Sequence, residues 1–385
     1  SEESMRSGTF TAWTLRLLVV ASTTILVGLI WDISWHMTIG RDTFWTPAHL
    51  FIYIGGAISG CACGALAIHT TFFAAAAERR ACTNLWGGFA PLGAWISIWG
   101  AIAMIASGPF DDWWHNAYGL DVKIISPPHI MLFAGMISIV FGALILALHQ
   151  QNANQPVLPT TQTVGASSLT LSYVAGVILT FLSILFFSEG YPNHQHSTAY
   201  YFLFSCVYPG VLVATARAAR ASWAASKAAL SYMAIELAMI WILPRFAATP
   251  KLGPVLNPVG HMVPSYFPHL LIVPALGIDW VVQTGVLRGW KNWLVVPLCA
   301  GIFAGLFMMT QWTFSGFLLS PAAHNAIFVG GQNAPYYAMH REARDIFWEP
   351  QSLLALHSLA KVFSASLASV IIGWSVGSWM RKVRR

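Results

Sequence analysis

The sequence predicts an all-α, polytopic bundle of about ten membrane-spanning helices with both termini cytoplasmic, and three observations lead there. Of 385 residues, 56% are hydrophobic and 9% are charged. A soluble domain carries about 25% charged residues, so most of this surface meets lipid. Apolar runs of roughly 20 residues, the length that crosses a hydrocarbon layer, recur along the whole chain. They do not alternate every second residue, as membrane β-strands would.

The runs fall at 11–31, 48–75, 85–107, 128–149, 167–188, 199–218, 227–244, 265–286, 292–315 and 352–378. Arg16 precedes the first, which has no small-residue cleavage site and reads as a retained helix, not a removable signal. The second opens at Pro47 and the fourth at Pro127-Pro128; proline suits a helix's first turn, where its missing N–H is harmless. "GGAISGCACGALA" in the second run supplies small residues that let helices approach closely. Cys61 and Cys63 belong to that packing, since two residues two apart on a helix diverge by about 200°. Three later runs carry a charge: Glu236, Asp279 and Lys361. Each should face the bundle interior. A neutral Glu236–Lys361 pair is the preferred reading over a proton relay, which would need a more continuous polar path.

Basic residues set the orientation. Arg6, Arg16, Arg79, Arg80, Arg217, Arg220, Lys227, Arg288, Lys291 and the basic tail outnumber Arg41, Lys123, Arg245, Lys251, Arg341 and Arg344 on the opposite side. The majority side is expected to be the cytoplasm of a bacterium, and the minority side the periplasm. The formal net charge of +6 is mostly this excess. No basic patch is interleaved with exposed aromatics, so nucleic acid is not an expected partner. Nucleotide-binding glycine loops, Cys-x-x-Cys-His haem attachment and Ser/His/Asp nucleophile sets are also missing from the sequence.

Chemistry concentrates in two stretches at the outer helix ends, "WDISWHMTIGRDTFWTPAHL" (31–50) and "FDDWWHNAYGLDVKIISPPHIML" (110–132). Each has an Asp four residues before a Trp-His histidine (Asp32 and His36; Asp111 and His115). Each has a Gly four later (Gly40; Gly119), an Asp six later (Asp42; Asp121) and a second histidine just after proline (His49; His129). Asp at i and His at i+4 share one helical face. A histidine at the start of the next helix then makes a three-ligand set with room for water or substrate. Imidazole suits copper, zinc, iron and nickel, and a carboxylate adds charge neutralisation, so the donors alone leave the metal open. Arg41, Asp42 and Asp121 are expected around the ligands, orienting histidine N–H groups or balancing charge.

The stretch "SWHMTIGRDTFWTPAHLFIY" resembles the C-subunit motif of the copper membrane monooxygenases, the family of particulate methane and ammonia monooxygenases. The likeness covers about residues 10–150. It implies copper held by Asp32, His36 and His49, and a neighbouring copper held by Asp111, His115 and His129, where Asp111 stands in place of the family's Asn. His49 would be in a position to serve both. It further implies dioxygen activation, oxidation of a small apolar substrate arriving through lipid, a quinol-type reductant, and other subunits or further copies of this chain as partners. The family subunit is shorter, and its copper-binding soluble domains belong to a partner; no such domain lies within these residues. The alternative is a copper acquisition, storage or delivery protein on the same scaffold. A haem-bearing quinol-linked subunit is a third reading, which the outer-edge histidines serve poorly.

Residues 1–155 thus form a monooxygenase-C-like half, and 156–385 a second half with His- and Met-bearing outer loops. There, His194, His196, His261 and His269 are further candidate metal ligands, joined by His324, Met339 and His340. Trp31, Trp35, Trp45, Trp113 and Trp114 read as an interfacial aromatic belt, or as walls of an apolar pocket.

Overall fold

The structure, a computed structural model, describes residues 2–119, 126–153, 166–256, 258–323 and 355–384. Among them nine helices are long and apolar enough to cross a membrane. In chain order the helices are α1 (Glu2–Thr38), α2 (Pro47–Phe72), the short α3 (Ala76–Ala81), α4 (Leu92–Tyr118), α5 (Pro127–Ala153) and α6 (Ala166–Leu185). They continue with α7 (Thr198–Ala218), α8 (Ala224–Ile242), α9 (Ile272–Leu287), α10 (Asn292–Leu318) and α11 (Leu356–Met380). Among the described residues a single hairpin, β1 (Thr83–Leu85) with β2 (Gly88–Ala90), accounts for the strands.

Two predicted spans need correction. The run at 85–107 is helical only from Leu92, because residues 83–90 fold into the hairpin. Trp86 and Gly87 both take positive φ (52° and 86°), the combination that a tight primed turn requires. The same helix continues past its apolar part, through Pro109, to Tyr118. The run at 265–286 is helical only from Ile272, so α9 has 16 residues and falls short of a full crossing. Pro264 and Pro268 explain the difference, since proline pushes the residue before it out of the helical region.

The described chain divides into two compact units: residues 1–29, 44–174 and 381–385 in the first, and 30–43 with 175–380 in the second. In the first unit, glycines remove the side chains between neighbouring helices. A Cβ on Gly28 would stand 2.9 Å from the Ala48 carbonyl of α2. Gly100 of α4 and Gly135 of α5 face each other, each Cβ position lying 2.7 Å from the other's carbonyl. α4 and α5 therefore meet backbone to backbone, the contact that small residues permit in membranes.

In the second unit, Tyr200, Tyr201, Phe204, Tyr208, Tyr232, Phe303 and Phe307 form a fully buried aromatic core. Asp279 of α9 is buried, as expected of an intramembrane acid, and it caps α8: Ala225 N and Ser226 N donate to its carboxylate at 3.2 and 2.7 Å, and Ser226 Oγ donates at 2.6 Å. This places negative charge at a helix N-terminus and satisfies orphan N–H groups. The expected Glu236–Lys361 pair does not form: Glu236 is buried, whereas Lys361 is exposed. Geometry overrides the charge argument because the two side chains leave their helices in different environments.

The glycine contact between α4 and α5 gives a direct test. Gly135→Leu should lower stability by about 1–3 kcal/mol through overpacking, while Gly64→Leu, where nothing lies within 4 Å of a Cβ, should not. Thermal unfolding midpoints of the detergent-purified variants measure both; equal midpoints would remove the close contact from the account.

Candidate metal centres

The first unit holds a complete three-residue set. Asp111 and His115 lie one turn apart near the end of α4, and His129 is in the first turn of α5 behind two prolines. His115 Nε2 is 3.5 Å from Asp111 Oδ2, and His129 Nε2 is 3.5 Å from Asp111 Oδ1. One ligand atom from each residue lies within 4.8 Å of the other two. These separations exceed good hydrogen bonds, which run about 2.7–3.2 Å. They suit donors sharing an ion, since two atoms each about 2 Å from a metal stand about 3–3.5 Å apart.

The other ring nitrogen of His115 is also accounted for. Nδ1–H donates to the Gly119 carbonyl at 3.1 Å, so that a ring binding a cation would offer Nε2 on the side of Asp111. Such a hydrogen bond fixes tautomer and ring orientation in metal sites. Gly119 ends α4 with φ 95° and ψ 174°, and its N–H donates to the His115 carbonyl. That backbone conformation is essentially restricted to glycine. The same residue thus closes the helix and orients the imidazole. Around the set, Trp114 lies against Tyr118 with ring centroids 4.4 Å apart, and Phe110 approaches Trp114 edge-on at 6.2 Å.

In the second unit, Asp32 and His36 occupy the last turns of α1, where His36 Nε2 is 3.8 Å from Asp32 Oδ2. Asp42 comes closer still, with Oδ2 3.3 Å from the same nitrogen. Asp42 was expected outside the ligand set; the return of the chain after α1 puts its carboxylate inside. Gly40 makes this return possible, with φ 81° and its N–H donating to the Trp35 carbonyl at 3.1 Å. Trp35 Nε1–H then donates to the Arg41 carbonyl at 3.0 Å. Arg41 enters through its backbone, while its exposed side chain is not seen to orient a histidine. Behind the turn, Val263 N donates to Thr38 Oγ1 at 2.8 Å and Lys251 N donates to the Ile39 carbonyl at 3.0 Å. His49 follows Pro47 in the first turn of α2, in the first unit.

The remaining candidates lie apart from the two groups. His269 is fully buried and hydrogen-bonds Tyr208 Oη through Nδ1 at 2.7 Å. His196 Nε2 bonds the Trp312 carbonyl at 3.0 Å, and its ring lies 4.4 Å from that indole. His269 is packed inside the second unit's core, whereas His196 is only partly buried. His194 Nδ1 is 3.4 Å from the Glu189 carbonyl, and burial pushes its pKa down. His261 is exposed and lies in an isolated bridge with Ala247. None of the four joins a group of three or more metal-ligating residues among the described residues. Asp121, His324, Met339 and His340 lie outside the described residues.

No protein-family model, curated protein or solved structure matches the chain.

The Gly119 carbonyl predicts a specific loss. In a His36→Ala background, Gly119→Ala should weaken metal binding at the α4–α5 set by about tenfold or more, the usual cost of removing a ligand's orienting partner. Competition of Zn(II) or Cu(II) against a chromophoric chelator measures it, and unchanged affinity would show that the hydrogen bond does not orient His115.

Proposed function

We propose that this chain is a copper-binding protein of a bacterial cytoplasmic membrane, related to the C subunit of copper membrane monooxygenases, with its metal sets on the periplasmic side. The observation that carries the reading is the His115 arrangement. One ring nitrogen is held by the Gly119 carbonyl, and the other stands 3.5 Å from a carboxylate that a second imidazole also faces at 3.5 Å. The donors fit copper: two imidazoles supply neutral nitrogen and Asp111 supplies one compensating charge. In the first set we assign Asp32, His36 and His49 as ligands on the motif's spacing, with Asp42 as an added carboxylate donor. When bound, copper would supply the change of oxidation state needed to pass electrons to dioxygen.

The chain's own residues bind and shape the sites. Asp111 balances the charge of a cation, and Gly119 keeps the His115 Nε2 lone pair available. Phe110, Trp114 and Tyr118 put aromatic surface beside the set, suited to a small apolar substrate entering from lipid. A quinol-type reductant and partner subunits, or further copies of this chain, complete the monooxygenase reading. Copper acquisition or delivery is the second reading. It is favoured by the openness of the first set, where the His36 side chain is 49% exposed. An accessible imidazole between two carboxylates suits an ion that must arrive and leave.

Metal analysis by plasma mass spectrometry on protein purified after growth with ample copper tests the copper assignment. His36→Ala and His115→Ala should each lose the copper of its own set, and the double variant should lose all of it. Retention of full copper by the double variant would overturn the assignment. Oxygen uptake with a reduced quinol then separates the readings. Uptake that depends on a small alkane or alkene supports the oxygenase, and copper bound without such uptake leaves the carrier.

A further inference from the structure

Away from both Asp/His groups, the second unit buries a carboxyl group that neither reading uses. Glu236 is 5% exposed and lines a small cavity with Ser183, Ser265, Tyr266 and several apolar side chains. Among the described residues, no Lys, Arg or His lines it. The space suits about one water-sized particle and is too small for an organic substrate. Two oxygens of the lining residues, Ser265 Oγ and Tyr266 Oη, are buried without a hydrogen-bond partner. An unpaired buried hydroxyl and an uncompensated buried carboxylate both cost free energy, and one small cation relieves both.

The backbone around the cavity is held so as to keep these oxygens there. Residues 265–271 belong to a predicted membrane run, yet they form neither helix nor strand. At membrane depth such backbone is tolerated where it is buried in protein or lines a cavity. Side chains take up its peptide groups at both ends. Val263 N donates to Thr38 Oγ1 at 2.8 Å, and Ser34 Oγ donates to the Val263 carbonyl at 2.5 Å. Further on, His269 N donates to Tyr232 Oη at 2.9 Å and Leu270 N donates to Gln311 Oε1 at 2.8 Å. Ser265 and Tyr266 are pinned between these anchors. The Tyr266 ring stacks on Phe187 with centroids 4.9 Å apart, and a Cβ at Gly190 would collide with Tyr266 Oη. Unwound segments that interrupt helices are a recurring place for sodium ions in membrane proteins.

We propose that this cavity binds one alkali-metal cation of sodium size, held by the Glu236 carboxylate and the hydroxyl oxygens of Ser183, Ser265 and Tyr266. The four side chains line a space for a single small particle, so an ion inside it lies beside all of them. A hydroxyl oxygen keeps lone pairs for a cation while its hydrogen rotates away. One monovalent cation cancels the one carboxylate charge, whereas a divalent ion would leave buried positive charge. Magnesium also demands octahedral geometry and keeps several waters, for which there is no space. Oxygen donors without imidazole or thiolate suit copper poorly, so this site is chemically separate from both Asp/His groups. A proton on Glu236 would cancel the same charge, yet it would leave the Ser265 and Tyr266 oxygens as they stand; a cation engages them as well.

Equilibrium binding of radioactive sodium to the full-length protein in detergent, in a choline chloride background, tests this. The wild type should bind one sodium ion per chain, displaced by excess unlabelled NaCl. Glu236→Gln keeps the size of the side chain but removes its charge, and should abolish the binding. Ser265→Ala should weaken it by about tenfold or more, the cost of losing one polar contact to a charge. This second variant serves if Glu236→Gln does not fold. His36→Ala/His115→Ala should bind sodium as the wild type does; loss there would put the ion at the Asp/His groups and overturn the proposal. Absence of sodium binding by the wild type, or undiminished binding in folded Glu236→Gln or Ser265→Ala, would overturn it too. So would an infrared band of a protonated carboxylic acid that is missing from Glu236→Gln and persists at saturating sodium, because a proton would then hold the site.

Discussion

Hydrocarbon offers no hydrogen-bond partner to a peptide group, and the rest of the architecture follows from that. Each crossing segment must satisfy its backbone internally, so long apolar runs become helices. Because lipid gives no hydrophobic reward for joining two helices, contact must come from close packing. Gly100 and Gly135 bring α4 and α5 together backbone to backbone. That contact sets how the α4 and α5 ends stand to each other, and Asp111, His115 and His129 sit at those ends.

Both Asp/His groups use the same physical device. A helix runs beyond its apolar part, carries Asp and His one turn apart, and stops at a glycine with positive φ. At Gly119 the stop also returns a carbonyl to the histidine that the helix has just presented. At Gly40 the stop turns the chain so that Asp42 comes within 3.3 Å of His36. The difference matters chemically: the α4–α5 set has two imidazoles sharing one carboxylate, whereas His36 lies between two carboxylates.

The second unit treats its ionisable groups differently from one another. Asp279 accepts three hydrogen bonds at the start of α8, a structural role. Glu236 is buried beside the hydroxyl-bearing side chains of Ser183, Ser265 and Tyr266, with no cationic side chain among the described residues lining the cavity.

Much of the fold was legible in the sequence because hydrocarbon thickness demands a run length that residue order displays directly. The paired Asp and His positions were legible too, because a helix converts a spacing of four into one face. The exceptions lay where short-range chemistry competes with hydropathy: the turn at Trp86-Gly87 shortened one span from its front, and Pro264 and Pro268 shortened another. Tertiary contacts decided what spacing could not express. Hydropathy and spacing do not report where a loop carboxylate returns, so Asp42 had been expected outside the ligand set. They also do not report that the Nδ1 of His269 meets Tyr208 Oη inside the core or that the Nε2 of His196 meets the Trp312 carbonyl. A linear pattern records the direction a side chain takes from its own helix; what that side chain meets depends on a second segment, placed by packing.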